Sequence, residues 1–160
     1  MPHKRLLFTN PFHWKRDYNT HVLPPEGMLF VWGANMNNWL FSGKKEGDSL
    51  AGGGMASIRG PTNGLCRPFY IGVPTTILGT HGCYDCVLTA IDLAFDHMKQ
   101  QLKDGTCHTI VFPKEKTTPS KTSLGLGFAR QQNGPEAQKE IQDALHRAIL
   151  DLEKYVKEFR

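Results

Sequence analysis

No apolar run in this 160-residue chain approaches the roughly 20 residues that a membrane-crossing helix needs. The basic start, His3-Lys4-Arg5, is not followed by an apolar core of secretory length, so a soluble, cytoplasmic protein without a membrane partner is expected. Cysteine is also scarce. Cys66, Cys83, Cys86 and Cys107 are too few and too spread for a disulfide framework in a chain of this size, and they read as reduced thiols. Cys83 and Cys86 form a Cys-x-x-Cys beside His81, but no second tight pair completes the four ligands of structural zinc. No metal and no cofactor are expected. Zinc, with Cys66, Cys107 and His108 as further donors, is the lesser alternative.

Blocks of one-signed charge are missing too. Lys and Arg number 19 against 15 Asp and Glu, a net charge of +4, and the basic residues are scattered. That balance suits an anionic ligand, while a nucleic-acid partner is left open. An apolar share of 39% in 160 residues is enough for one domain with a true core.

The centre of the sequence is Phe30 to Gly60. Met28 to Ala34 is an apolar run closed by small residues, as a buried strand should be. Three asparagines follow within four positions, Asn35, Asn37 and Asn38, and then Gly52-Gly53-Gly54 stand before Met55-Ala56-Ser57-Ile58. Glycines before a first helical turn let an anion approach unsatisfied backbone N–H groups. Taken alone, three glycines between elements equally describe a plain loop.

Residues 1–27 show no sustained period and are expected as an irregular arm with one short strand, Arg5 to Thr9, its aromatics packed on the domain. Residues 28–160 are expected as a single α/β domain. A helix opening near Gly54 is cut short by Gly60-Pro61, and Phe69 to Thr76 reads as the second strand of the domain. Tyr84 to Lys103 places Val87, Leu88, Ile91, Ala94, Phe95, Met98 and Leu102 at helical spacing. Thr109 to Phe112 is a strand, Lys114 to Arg130 a long loop, and Pro135 opens a helix running to about Glu158. Strands alternating with helices imply a largely parallel sheet, whose ligands bind at the strands' carboxyl ends.

The pattern resembles a macrodomain, the ADP-ribose-binding α/β fold, over roughly Met28 to Val156. The resemblance rests on Gly33-Ala34-Asn35-Met36-Asn37, on Gly52-Gly53-Gly54-Met55-Ala56 and on Ser123-Leu124-Gly125-Leu126-Gly127-Phe128. Gly53 to Gly60 also resembles a Gly-Gly-x-Ala-x-Ile-Arg-Gly stretch of small phage proteins. What the macrodomain resemblance implies is a three-layer domain with a mostly parallel central sheet and an ADP-ribose-like ligand. Asn35 and Asn37 would lie at the distal ribose with Gly52, Gly53, Gly54 and Met55, and Ser123, Gly125, Leu126 and Gly127 at the diphosphate. Phe128 would be the aromatic against a ribose. The family's Gly-Asp-Ile type motif for adenine is absent, with Asp17-Tyr18 a weak substitute, and the interval between asparagines and glycines is longer than usual.

Outside the resemblance, Arg59 could grip a phosphate or simply end a short helix in solvent. His81 and Asp85 could act as acid and base if the ligand is hydrolysed, with Asn35 holding a water or a ribose hydroxyl. The plainer reading of the pair is a loop histidine and a helix cap. Two other outcomes stay open at this stage. One is a viral protein that sequesters a nucleotide without cleaving it. The other is a basic nucleic-acid-associated protein using Lys114 to Lys121 and the aromatic arm.

Overall fold

A computed structural model describes residues 3–20, 23–35, 70–76, 84–114 and 135–158. Among the described residues its centre is a four-stranded, all-parallel sheet of β1 (Arg5–Thr9), β2 (Met28–Asn35), β3 (Tyr70–Thr76) and β4 (Thr109–Pro113), in the order β1-β4-β2-β3. Parallel sheets are covered on both faces, so their inner strands lose the in–out alternation of polarity. The two middle strands show this. Met28 to Val31 and all of Thr109 to Pro113 are buried.

Two long helices cover one face. They are α2 (Tyr84–Asp104) and α3 (Pro135–Glu158). Leu29 and Val31, Ile71 and Val73, and Ile110 and Phe112 point to that side, where they meet Val87, Ile91, Phe95 and Met98 of α2. Ile141, Leu145, Ile149, Leu152 and Val156 of α3 complete the cluster. The apolar stripe of α3 is therefore core, as its spacing implies. Phe112 stacks between Phe8, at 5.3 Å, and Phe95, at 6.0 Å, which ties β1 and α2 to the same layer. Lys99 of α2 pairs with Asp151 of α3 and lies 5.7 Å above the Tyr155 ring, an exposed clasp that adds little beside the apolar packing.

The other face is covered from the N-terminal stretch. After β1, Asn10 accepts a bond from Phe12 N–H through Oδ1 (3.0 Å) and opens a 3-10 turn, Pro11–His13, with proline at its start. The short helix α1 (Trp14–Tyr18) follows directly and stops at Asn19, whose φ of 55° is left-handed. Trp14 is fully buried, meets Phe30 edge-on at 5.1 Å and donates its indole N–H to Thr9 Oγ1 at 2.8 Å. Tyr18 packs on the same Phe30 ring, and Tyr70 donates its hydroxyl to the Thr20 carbonyl at 2.6 Å. The N-terminal stretch thus supplies both an edge strand and a helical cover. Its aromatics pack inward except Phe12, which is 88% exposed.

The amino edge of the sheet is a tight junction. Gly27 has φ +82°, and its carbonyl accepts the N–H groups of His108 (2.8 Å) and Thr109 (3.2 Å). The His108 ring lies so close that a Cβ on Gly27 would come within 2.4 Å of Cδ2 and Nε2. His108 Nδ1 is 2.8 Å from Thr109 Oγ1, which also accepts a bond from Arg5 Nε at 3.2 Å. Gly105, at φ +78°, ends α2 nearby with open space around its Cα. Among the described residues no helix is long and apolar enough to cross a membrane.

Candidate functional site

All four described strands run the same way, so their carboxyl ends face one edge of the sheet. Thr9 is level with Pro113, and Lys114 N–H continues the pairing by donating to the Thr9 carbonyl at 2.9 Å. Beyond β4 in the sheet stands β2, and the next described elements after these two neighbours lie on opposite sides of them. After β2 comes β3 on one side, while after β4 comes α3, which packs on β1 at the other side. A parallel sheet parts at such a point, and its carboxyl edge is where the loops can open a crevice.

Asn35 is the last residue of β2 and so sits on this edge. Its pairing with β3 is irregular. Ala34 is opposite Pro74 but Asn35 is opposite Thr76, leaving one extra residue on β3. Proline offers no N–H to a ladder and belongs on an edge strand, which β3 is among the described residues. An extra residue bends the strand locally and changes which way the chain is aimed as it leaves the sheet.

Asp85 is exposed in the first turn of α2, the end of that helix that follows β3. A carboxylate there complements the helix dipole and the first unsatisfied N–H groups. Lys114, exposed at the end of β4, brings a positive charge to the same edge. Asn37, Gly52, Gly53, Gly54, Met55, Arg59, His81, Ser123, Gly125, Leu126, Gly127 and Phe128 lie outside the described residues, as do the short helix expected near Gly54 and all of the loop after Lys114. In sequence, the first glycine run follows β2 and the second follows β4, the two strands at which the chain parts.

No protein-family model, curated protein or solved structure matches the chain. Among the described residues, no three His, Cys, Asp or Glu side chains gather in a way that could hold a metal ion. Cys107, two residues before β4, is a free thiol buried in the core, and burial pushes it up to about 12, which leaves it protonated and inert as a nucleophile at neutral pH. Asp17, the residue weighed as a substitute for the adenine-contacting acid, is exposed on α1. Its carboxyl is held below the usual range, chiefly by a hydrogen bond from Arg16.

Sequence reasoning passed over the turn after β1. Asn10 and Phe12 follow Thr9 directly and belong to the same carboxyl edge as Asn35. The Asn-Pro pair was the available signal, since it favours a turn just after a strand. The exposure of Phe12 had none, because apolar residues in an irregular stretch default to packing inward.

Proposed function

We propose that the chain binds ADP-ribose or a related nucleotide diphosphate sugar across the carboxyl edge of its sheet, in a three-layer, macrodomain-like domain. The supporting observation is the parting of the chain at the β4–β2 boundary. The strand that ends in Asn35 and the strand that precedes the second glycine run are neighbours there. In this reading Gly52, Gly53, Gly54 and Met55 approach the ligand from the β2 side, and backbone N–H groups of Ser123, Gly125, Leu126 and Gly127 take the diphosphate oxygens. Asn35 and Asn37 orient the hydroxyls of the distal ribose through their amides, Phe128 packs on a ribose, and Arg59 adds a charge-assisted bond to phosphate. Cleavage of the bound ligand would call on Asn35 to hold the attacking water and on His81 or Asp85 to take its proton.

The test is thermal melting of the purified protein against ADP-ribose, NAD, cyclic nucleotides and nucleotide signals, with mass spectrometry of each mixture. A ligand that binds only the folded state raises the melting temperature by mass action. A shift with ADP-ribose or a relative, abolished by Gly54→Val, is the expected result. Product in the mixture marks a hydrolase, and intact ligand held stoichiometrically marks a sequestering protein. No shift with any of them, together with retention on nucleic acid that collapses with salt, would overturn the reading in favour of a nucleic-acid partner.

A further inference from the structure

Phe12 is the most exposed of the large apolar side chains among the described residues, at 88%. A single exposed apolar residue usually means nothing. Two facts set this one apart. Its backbone is fixed on both sides, by the Asn10 cap before it and by Trp14 after it, fully buried and bonded to Thr9 Oγ1. A ring held out to solvent on so firm a base gives up little freedom when something settles on it. The second fact is place. Phe12 lies three residues beyond Thr9, in the turn that leaves the carboxyl edge, and Lys114 is bonded to the Thr9 carbonyl on that same edge.

Strand order then sets a direction along that edge. Strands β1, β4 and β2 follow one another in that order, about 4.8 Å apart, and β2 runs on about three residues past the level of Pro113 and Thr9. A ligand with its distal sugar at the end of β2 and its diphosphate at the end of β4 carries its base toward the end of β1. We infer that Phe12 is the stacking platform for the nucleobase of the proposed ligand, with Lys114 as a cation beside the phosphates. The inference rests on the ligand reading above. Stacking reads the π-face that all bases share, so this contact adds affinity without choosing the base.

The experiment measures ADP-ribose binding by calorimetry and by the loss of adenine absorbance that stacking causes, in wild type, Phe12→Ala, Phe12→Leu and Phe12→Trp. Phe12→Ala should weaken binding by roughly 5- to 150-fold, the range given by removing one base–aromatic stack. Phe12→Leu, which keeps an apolar side chain without a π-face, should lose the absorbance change as well, and Phe12→Trp should retain both signals. The melting temperature of the ligand-free variants should stay at the wild-type value, because the ring is solvated. If wild type binds and Phe12→Ala and Phe12→Leu bind within twofold of it, the stacking role is refuted while the ligand reading stands. If wild type binds neither ADP-ribose nor any other nucleotide of the melting panel, the ligand reading falls and the role of Phe12 falls with it.

Discussion

Replacing Gly27 with alanine should cost far more than the same change at Gly105, although the two glycines have nearly the same φ, +82° and +78°. An L-residue in this left-handed region is strained by ~1–2 kcal/mol, and that is the whole expected cost at Gly105, where a Cβ meets nothing within 4 Å. At Gly27 the new Cβ would lie 2.4 Å from His108 Cδ2 and Nε2, well inside contact distance. The ring has to swing away, which gives up its 2.8 Å contact with Thr109 Oγ1, a further loss of ~0.5–1.5 kcal/mol. With some residual repacking the total is about 2–4 kcal/mol, or a fall of roughly 4–16 °C in melting temperature for a chain of this length.

Urea unfolding of Gly27→Ala, Gly105→Ala, His108→Ala and the Gly27→Ala/His108→Ala pair separates the two causes. With the ring removed, the cost of Gly27→Ala should drop to that of Gly105→Ala, a coupling of ~1 kcal/mol or more. Equal costs at the two glycines in the wild-type background, or no coupling to His108, would show that the amino-edge junction is not packed as described.

Trp14→Ala should cost about 3–5 kcal/mol in urea unfolding, since it empties the cover over Phe30; Trp14→Phe should cost about 1–2 kcal/mol, chiefly by leaving Thr9 Oγ1 without its donor. Tyr70→Phe removes the bond to the Thr20 carbonyl and should lower stability by about 1–2 kcal/mol, a loss that would be missing if water replaced the phenol. Burial raises the Cys107 thiol from 9.0 to about 12 and also raises the Tyr70 phenol. The folded chain thus holds both protons more tightly than the unfolded one, so stability is intact below about pH 9 and drains away as pH rises toward 12. Urea midpoints should fall across that window and fall less steeply in Cys107→Ala; an unchanged slope would rule out the thiol as a contributor.

Where a side-chain pattern outlasts two helical turns, the sequence already specifies the element. The stripe Val87, Ile91, Phe95, Met98, Leu102 set α2 to within a residue of its observed end at Asp104, and Pro135 marked the first residue of α3. Strands β2, β3 and β4 were readable because apolar runs ended in Gly or Pro. Helix α1 was not, since Trp14–Tyr18 spans little more than one turn and is held by tertiary contacts to Thr9 and Phe30 rather than by any period. Nor does any local feature of Arg5–Thr9 announce that its partner is β4. Of the candidate site, Asn35 and Asp85 could be put near the carboxyl edge from the strand–helix alternation alone. That Phe12 shares this edge could not, because it depends on β1 entering the same sheet in parallel.

The pairing of β1 with β4 also sets an order in time. Arg5 and Thr109, 104 positions apart, are joined by a side-chain bond within that ladder. Closing a loop of about a hundred residues carries an entropic cost that local contacts do not have to meet, and folds rich in such pairings form slowly. Strand β1 is made before β4 and is therefore among the last of the described strands to find its neighbour. Until β4 emerges, Leu6 and Phe8 lack the strand that pairs with theirs. That interval, rather than the finished molecule, is when this protein is most exposed to aggregation and proteolysis.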